Sequence, residues 1–154
     1  TTAIHGLDLL GRKVMLKNGK AVMLLMQEVI CEINKAKQHD NTKQQAASLE
    51  IKLAKLQELS IHLMSVAQNE GIEAYLSDAT LYLELFGILV MGWQWLKMAN
   101  TCNENTSIDK EFSKSKILSF NYFYEYELPK TEALFIRLKS TNRVTVGMDS
   151  NLID

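Results

Sequence analysis

One proline and seven glycines in 154 residues are too few for an all-β chain, which needs a turn every 8–12 residues or so. Charge of one sign is not in excess either, since 17 Lys plus Arg against 18 Asp plus Glu give a net charge of −1. That balance excludes the broad basic field of a nucleic-acid binder, so no nucleic-acid partner is expected. Long apolar runs are missing. The longest uncharged stretch, Leu85–Leu96, holds 12 residues, short of the roughly 20 that span a bilayer, so a buried core helix is expected there and no membrane span. Cys31 and Cys102 stand 71 positions apart with no neighbouring His or Cys. Their spacing excludes zinc ligation and a redox CxxC and suits free thiols in a reducing compartment. The chain opens Thr1-Thr2-Ala3-Ile4-His5 with no basic region, no cleavage signal and no initiator Met. The expectation is a cytoplasmic protein from which the sequence before Thr1 has been lost.

What is present reads as helix. Hydrophobic residues make up 47% and charged residues 23%, close to an average soluble domain. A chain of this length buries enough surface to need no staple. Ile4, Leu7, Leu10 and Val14 recur at helical steps and predict a first helix to about Leu16, with Thr1 or Thr2 as N-cap, an Asp8–Arg12 pair and Asn18-Gly19 as its end. Val22, Met26, Val29 and Ile33 predict a second over about 20–38. His39-Asp40-Asn41 reads as a loop in which Asn41 or Thr42 caps the next helix.

The third helix, about 42–68, has the cleanest seam: Ala46, Leu49, Leu53, Leu56, Ser60, Leu63 and Ala67, in 3-4 spacing that suits a long bundle helix. After Asn69-Glu70-Gly71, residues 72–100 predict one helix that is apolar nearly all round and therefore central. Gly87 and Gly92 within it imply close approach of a neighbour, with Trp93 and Trp95 filling the space beside them. Residues 101–107 read as a loop. A fifth helix over 108–127 lines up Phe112, Lys116, Phe120, Phe123 and Tyr126, Pro129 stops or kinks it, and a short helix covers 131–138. Val144-Thr145-Val146 is strand-like but without a partner strand, so 141–154 is expected to be a tail. The predicted fold is all-α: an up-and-down bundle of about four long helices with a short leading helix.

Chemistry is sparse. The histidines are His5, His39 and His62, and Glu58 to His62 is one residue too long for the Glu-x-x-His of a di-iron bundle, so no metal is expected. No GK[ST] ending follows the glycines and no GxSxG is present. Tyr122, Phe123, Tyr124, Tyr126, Trp93 and Trp95 could be imagined as a ligand cage, but core packing with wet hydroxyls is the plainer reading. Lys130, Arg137, Lys139 and Arg143 form a weakly basic end that reads as a solvated helix face.

The stretch Thr1-Thr2-Ala3-Ile4-His5-Gly6-Leu7-Asp8-Leu9-Leu10-Gly11-Arg12-Lys13 resembles the closing stretch of flavin-dependent acyl-CoA dehydrogenases. There a Glu-Gly-Thr-x-x-Ile-Gln motif precedes a helix often reading Leu-Asp-Leu-Leu-Gly-Arg-Lys. Tyr75-Leu76-Ser77-Asp78-Ala79, Leu85-Phe86-Gly87, Gly92-Trp93 and Phe123-Tyr124-Glu125-Tyr126-Glu127-Leu128-Pro129-Lys130-Thr131-Glu132 are similar to the extra C-terminal helical domain of the branch that includes methylmercaptopropionyl-CoA dehydrogenase-like enzymes. The resemblance implies residues 1–17 as the last helix of the dehydrogenase core, 18–140 as an appended bundle and 141–154 as a tail.

It also implies FAD and α,β-dehydrogenation of an acyl-CoA thioester in the full-length enzyme. The catalytic base, the Glu of Glu-Gly-Thr, would lie upstream of Thr1, so the chain by itself is expected to be inactive and without cofactor. Thr1, Thr2 and Ala3 match the positions that touch the adenine half of the flavin, and His5 stands where the family has Gln. The implied role of the bundle is structural or subunit-packing within a homo-oligomer, with Leu7, Leu10 and Val14 facing the missing catalytic core. Two other readings are a free-standing module that grips a partner helix and a bundle that holds an apolar ligand.

Overall fold

The computed structural model describes residues 1–15 and 19–146. Helix accounts for 82% of the structure and no strand occurs among the described residues, so the all-α expectation is met. The elements are α1 (Thr2–Asp8), a π-helical turn (Leu9–Lys13), α2 (Lys20–Ala36), α3 (Lys43–Asn69), α4 (Ile72–Leu76), α5 (Ala79–Glu104), α6 (Lys110–Tyr122), a second π-helical turn (Phe123–Glu127), a 3₁₀ turn (Leu128–Lys130) and α7 (Thr131–Lys139). The expected helix end at Asn18 lies outside the described residues. Gly19 has φ +79°, the left-handed backbone that glycine adopts without strain.

Helix α5 is central because it offers apolar surface over most of its circumference. By length and composition it is the one described helix apolar enough to cross a membrane, yet α1, α2, α3, α6 and α7 all pack on it. Tyr82, Leu85, Leu89, Leu96 and Ala99 are buried among them. It is not enclosed all round, however, since Glu84, Gly87, Met91 and Gln94 stay exposed. The core continues through Ile33 of α2, Leu49 and Leu59 of α3, Phe120 of α6, and Leu128 and Leu138 near the end of the chain.

Four expectations are corrected. On α3 the buried set is Ala46, Leu49, Lys52, Leu56, Leu59, Leu63 and Val66. Leu53, Ser60 and Ala67 are half-buried, because the helix faces neighbours on two sides rather than across one seam. The predicted helix over 72–100 breaks at Ser77-Asp78, where the Ser77 hydroxyl donates to the Ala74 carbonyl (2.9 Å), and it runs on to Glu104. Thr42 precedes α3, but its hydroxyl does not cap that helix. It donates backwards to the Ala36 carbonyl at 2.8 Å and closes the end of α2. The fifth helix widens into a π turn, with Leu128 N–H bonding to the Phe123 carbonyl. Pro129 has no N–H to give the preceding turn and its ring crowds the carbonyl four residues back. Tyr126, expected inward, is exposed, and the buried residue is Leu128, five positions after the buried Phe123 as a π turn spaces them. Phe112, at the other end of the expected stripe, is exposed as well.

The glycines change roles. A Cβ on Gly87 would meet nothing within 4 Å, so no neighbour approaches there. At Gly92 it would touch Leu128, Leu49 and Phe123 at 3.5 Å, an ordinary packed contact. The close approach is at Gly6, where a Cβ would stand 2.8 Å from the Ala79 carbonyl oxygen. Backbone rests on backbone there, and the leading helix is seated on the first turn of α5. Gly6→Ala is therefore expected to destabilise by about 1–3 kcal/mol. Gly87→Ala is expected to stabilise by up to about 1 kcal/mol through helix propensity. Urea unfolding of the two variants checks both signs.

A polar clasp joins α2 to α5. Asn100, 1% exposed, donates from Nδ2 to the Glu32 carbonyl (2.9 Å) and to Glu32 Oε2 (2.8 Å), while Lys35 Nζ donates to Oε1 at 3.0 Å. Burial works to raise the Glu32 carboxyl, but the bonds from Asn100 and Lys35 outweigh it and hold the group below its ordinary value. The folded pKa is thus depressed, so this stabilisation is complete above about pH 4.3, the usual glutamate value, and is lost as pH falls through the folded pKa. Asn100→Leu removes the donor from a buried carboxylate and is expected to cost about 2 kcal/mol at pH 7. The deficit should shrink on acidification, read by unfolding midpoints at pH 7 and pH 3.

Candidate functional site

The leading segment is held in place by two contacts and otherwise left bare. Beyond the Gly6 contact, the Tyr75 hydroxyl donates to the Leu10 carbonyl at 2.9 Å, fixing the π turn over α4. Leu10 is 2% exposed and Val14 half-buried. Of the three residues expected to face outward, two are therefore taken up inside the chain, because the π turn swings them toward Ser60, Leu63 and Tyr82. Ile4, one turn before Leu7, is 68% exposed, and Leu7 and Met15 are also exposed. Ile4 and Leu7 are exposed on α1, whose buried residue is Gly6. No residue of α2 before Val29 is buried, and Met23 and Leu24 are exposed. One end of the molecule thus presents an apolar surface built from α1, its π turn and the first half of α2.

Thr1, Thr2 and Ala3 sit at the start of α1, all exposed. Thr1 is the N-cap by position, and its side chain makes no capping bond. His5 is exposed on the same short helix. The structure brings none of the aromatic set into a closed cage. Phe123 and Tyr124 are buried and Trp93 and Trp95 half-buried, while Tyr122 and Tyr126 stack on each other in the open, ring centroids 4.7 Å apart. The Tyr124 hydroxyl is not wet as expected. It donates to the Gly92 carbonyl at 3.0 Å, and burial pushes its pKa upward.

The basic end is not a free cationic face either. Arg137 pairs with Asp78 (2.9 Å), Lys139 with Glu58 (3.1 Å), Arg143 with Glu70 (3.1 Å) and Lys130 with Glu127. Three of those four pairs tie the end of the chain back to α3 or to the α4–α5 junction. Sequence reading missed a buried cation on α3, Lys52, which meets Glu132 Oε1 at 2.6 Å while Lys55 meets Oε2 at 2.8 Å. Bonds from Lys52 and then Lys55 hold the Glu132 carboxyl below its ordinary value. A lysine on the seam of α3 was the available signal, but its partner lies 80 residues away.

No group of three His, Cys, Asp or Glu is placed to hold a metal ion among the described residues. The enclosed cavity between Leu10, Ser60, Leu63, Tyr75 and Tyr82 measures about 20 Å³, room for a water molecule and far too little for an acyl chain.

A family model described as acetyl-CoA dehydrogenase C-terminal like matches residues 25–149. The chain belongs to that family. No curated protein sequence matches the chain. The C-terminal-like match opens at Leu25, so α1, its π turn and the first residues of α2 precede it. These are the elements that carry the bare apolar surface. The segments at Tyr75–Ala79, Leu85–Gly87, Gly92-Trp93 and Phe123–Glu132, noted as family-like, all fall inside the match.

Within this acetyl-CoA dehydrogenase C-terminal-like domain, the Lys52–Glu132 contact joins α3 to α7. Glu132→Ala is expected to destabilise by about 1–3 kcal/mol, because it strands a mostly buried ammonium. Lys52→Met keeps the packing and removes the charge, and should be close to neutral. Thermal unfolding of both variants at pH 7 checks the asymmetry.

Proposed function

We propose that the chain is the C-terminal helical domain of a FAD-dependent acyl-CoA dehydrogenase, with residues 1–17 closing the catalytic core, residues 18–140 forming an appended bundle and residues 141–154 a tail. The observation that carries this reading is the apolar end formed by Ile4, Leu7, Met15, Met23 and Leu24, placed just before and at the opening of the family match. Apolar surface rimmed by charge, here Arg12, Lys13 and Lys20, marks an interface, and the enzyme's own core is the partner that chain continuity supplies. The protein is read as cytoplasmic and homo-oligomeric.

When bound, the chemistry that FAD would supply is acceptance of the hydride removed in α,β-dehydrogenation of the thioester. The residues of this chain hold the edge of that cofactor and do none of the proton transfer. Thr1 and Thr2 offer exposed hydroxyls and Ala3 an uncluttered approach at the start of α1, which fits contact with the adenine half. Gly6 and Tyr75 hold that start in place by seating α1 on α5 and α4. The α-proton passes to the glutamate that precedes Thr1 in the family motif, a residue outside this chain. The bundle therefore acts by position, as a buttress behind the flavin-proximal helix.

The test is expression from the complete reading frame. The expected product is several times heavier than 17.5 kDa, yellow, and bleached by a saturated acyl-CoA. In that protein Leu7→Glu should lower the flavin content severalfold, because it places a charge in the core–bundle contact. A colourless product of about 17.5 kDa would overturn the proposal and leave the interaction module as the better account.

A further inference from the structure

Helix α4 supports the leading segment and is itself held from the far end of the chain. Its five residues are too few to keep a helix by local bonds alone, so α4 takes its position from what touches it. Toward the leading segment, the Tyr75 hydroxyl meets the Leu10 carbonyl. The Leu76 side chain packs on Gly11, where an added Cβ would stand 3.5 Å from it. Each end of α4 is flanked by an acid, Glu70 two residues before it and Asp78 two residues after it. Both acids receive an arginine from late in the chain: Arg143 Nε donates to Glu70 at 3.1 Å and Arg137 donates to Asp78 at 2.9 Å.

The Arg143 side chain is only 6% exposed, and its Nη2 is buried without a partner among the described residues. A guanidinium taken so far out of water depends on its one carboxylate. The segment that delivers it is drawn out along α3. Lys139 meets Glu58 and Arg143 meets Glu70, so a four-residue step must match roughly 18 Å of helix with roughly 14 Å of extended backbone. The long side chains make up the difference. Beyond Arg143 the chain turns, with Val146 N–H bonding to the Arg143 carbonyl at 3.0 Å. Thr145 and Val146 then wall a crevice with Ile72 and Leu76. Leu76 thus borders both this strap and the π turn of the leading segment.

We infer that Arg143 and Arg137 are positioning residues, which clamp the two ends of α4 and thereby hold the π turn and the start of α1 in place for the flavin. The inference rests on the function proposed above, in which Thr1, Thr2 and Ala3 meet the adenine half, and it adds the device that keeps them there. Neither arginine touches the cofactor. A shift of α4 reaches the leading segment through the Tyr75–Leu10 hydrogen bond, whose geometry tolerates little displacement.

The experiment is the rate of FAD release from the protein expressed from its complete reading frame, followed by flavin fluorescence on dilution. Arg143→Gln and Arg137→Gln should each speed release about tenfold, within the loss that a misplacement of about 1 Å passed on from a distant site can cause. At saturating FAD, kcat and KM for the acyl-CoA should return to the wild-type values. Glu132→Ala, which destabilises the bundle away from α4, should release flavin at the wild-type rate. Amide exchange over residues 9–13 and 72–76 should rise in the arginine variants and not in Glu132→Ala. Glu70→Gln leaves an acceptor for Arg143, so it should fold even where the arginine variants do not, and it should speed release severalfold. Equal acceleration by Glu132→Ala would reduce the effect to general destabilisation and overturn the inference. A yellow wild type whose Arg143, Arg137 and Glu70 variants keep their flavin as well would overturn the clamp and leave the proposed function standing. A wild type that holds no FAD would overturn the proposed function and the clamp's role with it.

Discussion

The backbone-on-backbone seat of α1 against α5 is the contact on which the rest of the arrangement turns. With hydrogen as its side chain, Gly6 lets the leading helix approach the Ala79 carbonyl closely enough for Leu10 and the Tyr75 hydroxyl to meet beneath it. The α4–α5 break lies beside that seat, with Tyr75 bonded to the Leu10 carbonyl before it and Asp78 within it. Asp78 in turn receives Arg137, so the last helix is located by the same junction. A single steric allowance at the start of the chain thus coordinates elements that are separated by most of its length.

Around this seat, α5 supplies the apolar wall and polar contacts supply direction. Leucine surfaces alone tolerate sliding and rotation, whereas a buried amide that must reach both a carbonyl and a carboxylate does not. Asn100 with Glu32, Lys52 with Glu132 and Tyr124 with the Gly92 carbonyl each join two elements at one register. Among the described residues, the end made by α1 and the start of α2 keeps Ile4, Leu7, Met23 and Leu24 exposed.

Much of the fold was legible in the residues. The absence of turn-formers, the periodicity of α2 and α3, the apolarity of α5 and the effect of Pro129 all act locally, within a few residues of where they are read. The departures share one cause. A π turn changes the phase of a helix by one residue, and neither Leu9–Lys13 nor Phe123–Glu127 announces it in side-chain pattern. Leu10 and Val14 are taken up inside the chain although they were expected at an outer surface, and Tyr126 is exposed although it was expected on the inward stripe. Gly87 and Gly92 look alike in sequence, yet one faces open space and the other a packed contact, because only the neighbouring helices distinguish them.

Of the candidate site, the sequence carried the resemblance at Thr1–Lys13 and at four later segments, which is a matter of residue identity. The family match covers those later segments. By itself the sequence determined that the chain is helical, near neutral and without a metal or nucleophile motif, since each of these follows from composition and short-range spacing. Tertiary structure alone decided which apolar residues stay exposed, which lysine is buried, and that four apparently free cations near the end of the chain are paired with acids. Those outcomes depend on what faces a residue from another element, and facing is a property of the packed chain that no local pattern encodes.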